Sequence, residues 1–138
     1  GYNLLNQSAL ARVLTPAHKL GIATLGMFAV RRGLIGVDLL RNVLKRLAEM
    51  GEIDPDLAQE PNLMAALGLE GVCSSLVEAA YRFCAFEPNL DAVLSGTGSS
   101  THLKMNLAAV AQGPLPVAAA TRLRELFGRV EGVSGQVR

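Results

Sequence analysis

Only two cysteines stand in the 138 residues, Cys73 and Cys84, eleven positions apart. On one straight helix that spacing is about three turns and ~16 Å of rise, too far for a disulfide. A disulfide scaffold is excluded, and two free thiols suit a reducing, cytoplasmic setting. Long apolar runs are missing as well. Residues 20–30 are bounded by Lys19 and Arg31, and the uncharged stretch 105–121 is broken by Gly113, Pro114 and Pro116. Neither supplies the ~20 residues of a spanning helix, so no membrane partner is expected. A net charge of +1 lacks the concentrated basic surface of a nucleic-acid binder. Metal-ligand spacings, a Cys/His pair and a nucleophile elbow are absent too. Tryptophan is missing, aromatics make up 4%, and β-branched residues are sparse, which rules out an all-β chain. There is no secretory leader and no initiator Met. The opening Gly1-Tyr2-Asn3-Leu4-Leu5 reads as the tail of a strand, so the sequence is expected to be a fragment.

What is abundant is Leu (23) and Ala (19), the composition of a largely helical domain. Ser8 is placed to cap a first helix that Gly21 stops, with Pro16 inside it. Residues 22–28, a short apolar run flanked by Gly21 and Arg31-Arg32, read as a buried parallel strand. Asp38 is expected to cap an amphipathic helix carrying Leu40, Val43, Leu44 and Leu47, ended by Gly51. A short helix follows around 62–67. Ser75 and Glu78 form a capping box before a helix that Pro88 stops. Residues 90–95 read as a second buried strand, then a helix with Leu103, Leu107 and Val110 on one face, closed by Gly113-Pro114. Pro116 opens a last helix that ends at Gly128, and 129–138 is expected to be a flexible tail. Strands separated by helices make an α/β chain with a parallel sheet. Three such strands cannot close a barrel, and 138 residues are about half of the ~250 that a (β/α)₈ barrel uses.

The most informative segment is a strand, then Gly96-Thr97-Gly98-Ser99-Ser100-Thr101, then a helix. Glycines admit a ligand close to the backbone, and the first amides of the helix, with its dipole, favour an anion such as phosphate. The same residues also suit a tight turn with a serine cap. The loop matches neither the Rossmann fingerprint nor the Walker loop. Arg31-Arg32 stand at the carboxyl end of the first strand, where parallel sheets bind ligands, and read either as a pyrophosphate grip or as a solvated pair. His102, on the turn after the glycine loop, is within reach of a phosphate or base, or is a plain surface residue. Asn106 lies four residues on, on the same side. His18, near a helix C-terminus, reads as structural. Charge runs +6 over residues 1–48, −8 over 49–91 and +3 over 92–138. That pattern fits an anion site assembled from the two ends, and equally fits solvated helix faces.

Tyr2-Asn3-Leu4-Leu5-Asn6, the strand 22–28 with Gly33-Leu34, Glu78-Ala79-Ala80-Tyr81-Arg82-Phe83, and Val93-Leu94-Ser95-Gly96-Thr97-Gly98 followed by His102-Leu103-Lys104-Met105-Asn106-Leu107 together resemble the C-terminal half of an aldo/keto reductase. The likeness extends through Gly113-Pro114-Leu115-Pro116 to Phe127. It implies the C-terminal portion of a (β/α)₈ barrel over residues 1–128: the end of strand 6, strands 7 and 8 with their helices, a helical insertion at 33–69 and an extra C-terminal helix. It further implies an oxidoreductase that moves hydride between NADP or NAD and a carbonyl or sugar hydroxyl. By the same resemblance Met27 matches the position that stacks on nicotinamide, and 28–32, with Phe28 and Arg31, the segment at the pyrophosphate. Gly96, Thr97 and Gly98 match the turn holding the adenosine phosphate, Thr97 at the hydroxyl position. His102 stands where Arg is usual, and Asn106 matches the residue at adenine. Gly96 replaces a common Lys, which with a neutral His102 leaves NADP and NAD both open. The family's catalytic tetrad lies on strands 1–4, before Gly1, so no catalytic residue falls here and the isolated chain is expected to be inactive. A non-catalytic nucleotide-binding or interaction remnant of the same fold is the alternative. No oligomeric state is implied.

Overall fold

Pro16 has no amide hydrogen, and its ring crowds the carbonyl four residues back. The computed structural model, which describes residues 1–132, meets this by opening the first helix as a π-helical turn, Leu10–Leu14, where the Thr15 N–H donates to the Leu10 carbonyl. Helix α1 (Thr15–Lys19) continues from it, and Gly21, at φ 68°, stops it as expected. Ser8 does not cap this helix: Asn6 Oδ1 accepts from both its amide and its hydroxyl, at 3.1 and 2.7 Å.

Six further α-helices follow among the described residues. A 3₁₀ turn (Arg32–Leu34) leads into α2 (Val37–Glu49), which buries Leu40, Val43, Leu44 and Leu47, the stripe read from the sequence. Its N-cap is Gly36, not Asp38, which sits inside the first turn where a carboxylate complements the helix dipole. Residues 33–69 also contain α3 (Pro55–Gln59) and α4 (Leu63–Ala66), capped by the side chains of Asp54 and Asn62. Helix α5 (Leu76–Ala85) is buried almost all round and forms the centre of the molecule. Tyr2 stacks on its Phe83 with ring centroids 5.8 Å apart, and the Tyr2 hydroxyl donates to buried Glu87 at 3.2 Å. Helix α6 (Ser100–Ala111) packs along α5, and α7 (Val117–Phe127) buries Ala119, Leu123 and Phe127.

The sheet consists of β1 (Leu25–Gly26) and β2 (Ala92–Val93), parallel, with Leu25 opposite Ala92 and Gly26 opposite Val93. The amides of Ala92 and Leu94 donate to the carbonyls of Thr24 and Gly26, and the Asp91 carboxylate clasps the Thr24 amide and hydroxyl at 2.6 and 2.9 Å. A Cβ at Gly26 would come within 2.8 Å of the end of the Leu90 side chain, which would have to shift to admit it. The fold is thus mixed α/β and mostly helical.

Four further expectations need correction. The strands are shorter than 22–28 and 90–95, and they are not buried: Ile22, Leu25, Met27, Phe28 and Leu94 are exposed. A parallel strand is dry only when both faces and both edges are covered. Among the described residues, β1 and β2 have only each other as ladder partners. The stub 2–5 forms no strand. After one bond from the Tyr2 amide to the Met27 carbonyl, Asn3 Oδ1 accepts from the amides of Leu5 and Asn6 and turns the chain away. On α6 the apolar stripe is reversed as well. Leu103 and Leu107 face outward while Asn106 and Ala109 are buried against α5. Of the expected tail, 129–132 is held, with Val130 buried and Glu131 paired with Arg12 at 2.6 Å. The remaining 133–138 lies outside the described residues.

Candidate functional site

Immediately beyond the carboxyl ends of β1 and β2, the chain after each strand diverges and leaves a cavity of about 600 Å³. That size is within the range of small-molecule sites, and the position is where open parallel sheets bind ligands. Phe28, Ile35, Val77, Leu94 and Met105 make its walls largely apolar.

The loop after β1 contributes Phe28 in an unusual conformation, φ 66°. A bulky residue is strained there, by roughly 1–3 kcal/mol, and persists only when its surroundings hold it. The Arg31 guanidinium lies 3.7 Å from the centre of the Phe28 ring, a cation–π contact that holds the ring at the cavity. The loop after β2 contributes Gly96 and Thr97. Neither Gly96 nor Gly98 has a positive φ, and a Cβ at either would meet nothing within 4 Å. The fold therefore does not require glycine at these positions, which weighs against the tight-turn reading and leaves open space over the backbone for a ligand. Thr97 Oγ1 accepts from the Ser99 amide at 3.1 Å, and Ser99 Oγ caps α6 by accepting from the His102 amide at 3.3 Å. The Ser99 cap thus takes the His102 amide, while the positive dipole end of α6 stands beside the cavity, which His102 lines.

Of the eight residues singled out from the sequence, Phe28, Gly96, Thr97, His102 and Asn106 line this one cavity. Arg31 touches it through Phe28, while Met27 and Gly98 do not line it; Met27 is 45% exposed one residue before the rim. Sequence reasoning missed Tyr81. Its hydroxyl lies 3.0 Å from Ser95 Oγ, and Asn106 Nδ2 donates to both, at 3.1 and 2.9 Å. A buried tyrosine needs a partner for its hydroxyl, and that was the available signal. The partners lie 14 and 25 positions away, beyond any local spacing rule.

Burial raises the Cys73 thiol to about 11 and the Cys84 thiol to about 12, so neither is a thiolate nucleophile at neutral pH. Among the described residues no cluster of three or more His, Cys, Asp or Glu could hold a metal ion, and no helix is long and apolar enough to cross a membrane. No family model matches the chain, and no curated protein matches it.

Proposed function

We propose that this chain is the C-terminal portion of a (β/α)₈ barrel of the aldo/keto reductase type and supplies part of an NAD(P) site. The observation that carries the reading is the cavity beyond the carboxyl ends of two parallel strands, into which five of the eight residues named from the sequence converge. The residues suit a dinucleotide. Thr97 and the first turn of α6 would take the adenosine-side phosphate with His102 beside it, Phe28 and Arg31 would flank the pyrophosphate, and Asn106 would face the base. Met27 would orient the nicotinamide at the rim. Exposure of Met27, Leu25 and Leu94 is consistent with surfaces that further barrel strands would cover. When bound, the nicotinamide supplies the hydride acceptor or donor for a carbonyl or sugar hydroxyl; this chain's residues bind and orient it.

Titration of the intact protein with NADH and NADPH, read by nicotinamide fluorescence, tests this. Binding is expected, and Thr97→Val or His102→Ala should each weaken it by about tenfold, the worth of one good polar contact. Failure to bind either dinucleotide, or binding that both variants leave unchanged, overturns the reading. Binding without turnover of any aldehyde, ketone or sugar would make the protein a non-catalytic nucleotide-binding relative.

A further inference from the structure

Beyond the end of α7 the chain stays on the body of the molecule. Val130 is buried, and the two residues after it are gripped from two directions. On one side the Glu52 carboxylate, on the link between α2 and α3, accepts from two successive amides, that of Glu131 at 2.8 Å and that of Gly132 at 2.9 Å. Bonds to an ionised acceptor are the stronger kind. A Cβ on Gly132 would fall on Glu52 Oε1 and Met50 Cε, so any side chain there pushes the carboxylate off the amides that it holds. On the other side the Arg12 guanidinium pairs with the Glu131 carboxylate at 2.6 Å, and Asn6 Nδ2 donates to the Glu131 carbonyl at 3.4 Å. Three distant stretches of chain therefore meet at Glu131. One of them is weakly anchored otherwise: across the π turn and α1, Leu14 is the one buried residue.

We propose that residues 129–132 are a strap, held shut by Glu52 and hooked by Arg12, that ties the first helix to the α2–α3 link, so that these three segments open together while the core around α5 stays closed. The two holds are unequal. Glu52 is half-buried and binds two main-chain amides at once, whereas the Arg12–Glu131 pair is largely exposed, with side chains 65% and 57% accessible, and holds little by itself. Glu52 therefore decides whether the strap is shut, and Arg12 decides only whether the first helix follows it. An element with few buried apolar groups opens at lower free energy than the core, and its tethers set what opens with it. The first helix runs through the Gly21 turn into β1, so the strap also steadies the strand whose following loop carries Phe28. None of this depends on what the cavity binds.

Native-state hydrogen exchange of the intact protein, read residue by residue by NMR, tests the coupling. Glu52→Ala is expected to speed exchange of the Glu131 and Gly132 amides about tenfold, the worth of one bond to a charged acceptor, and to speed exchange across residues 15–20 with them, while α5 keeps its protection. Gly132→Ala, which keeps Glu52 but displaces its carboxylate, should do the same. Arg12→Ala should speed only the first helix, by about threefold, as one exposed ion pair allows, and leave 131–132 protected. Trypsin gives a second reading, because the bond after exposed Arg129 runs into buried Val130. Cleavage there should quicken in the Glu52 and Gly132 variants and not in Arg12→Ala. Exchange across residues 15–20 that Glu52→Ala leaves unchanged overturns the proposal. So does an equal rise over α5, which would make the strap a support of the whole fold rather than a separate closure.

Discussion

Arg82 shows how much of this molecule depends on one side chain. Buried on α5, it donates to the carbonyls of Val72, Gly113 and Pro114 at 3.0 Å each, and to Glu78 Oε1 at 2.9 Å. It thereby ties the segment before α5 and the turn between α6 and α7 to the central helix. Replacing it by Ala leaves the Glu78 carboxylate without its charge partner and three carbonyls without this donor, and is expected to cost about 3–5 kcal/mol in denaturant unfolding. Arg82→Lys should recover only part of this, because one ammonium cannot reach all four acceptors. Burial of Glu78 would raise its carboxyl, but bonds from the Ser74 hydroxyl and amide and the charge of Arg82 outweigh it, and the group sits below its usual value of 4.5. A folded value below the unfolded one means that the unfolded chain takes the proton first as pH falls. The contribution is therefore complete above about pH 5 and is lost as pH drops through the unfolded and then the folded value. Glu78→Gln should flatten the acid limb of a stability profile below about pH 5 relative to the unmodified protein.

At the scale of elements, capping and burial were each legible in part: Ser75 caps α5 as read, whereas Ser8 and Asp38 do not cap their helices. Ser75 Oγ accepts from the Glu78 amide at 3.1 Å, the forward half of the capping box read from Ser75-Leu76-Val77-Glu78. The return half is absent, since the Glu78 carboxylate is engaged by Ser74 and Arg82. Ser75→Ala should lower the thermal midpoint by an amount corresponding to about 1 kcal/mol, the usual worth of a serine cap. The stripe on α2 was also legible, because a 3.6-residue period states which face is apolar. On α6 the same reasoning chose Leu103 and Leu107, yet Leu107 is 62% exposed and Asn106 is buried. Packing on α5 selects small and polar groups there, where Ala109 fits and Asn106 meets Tyr81 and Ser95. The short strands make the complementary point at Gly26. Gly26→Ala places a methyl against the end of the Leu90 side chain, which can turn aside to admit it, and no more than about 1 kcal/mol of destabilisation is expected on unfolding.

Across the whole molecule, the core is organised around α5, with Cys84 at its centre, fully buried, its thiol 3.6 Å from the Tyr2 carbonyl. Its modification by an aromatic disulfide reagent should therefore wait for global unfolding, while half-buried Cys73 reacts earlier. Equal rates in native buffer would show that residues 1–5 leave the core readily. β1 and its loop carry an exposed apolar surface, with Leu25, Met27 and Phe28 open to solvent. The sequence by itself determined the helices other than α3, the stops at Gly21, Gly51 and Gly113, and the turn that carries Gly96 and Thr97. Those features are written within four or five residues of chain, the range over which backbone hydrogen bonds, caps and left-handed glycines act. Only the tertiary structure decided that the two apolar runs are exposed short strands and that Asn106 points inward. It alone joined Tyr81 and Ser95 to the same cavity. Those outcomes depend on which surfaces meet across tens of residues, and the period of an apolar pattern says what a face prefers without saying what is there to cover it.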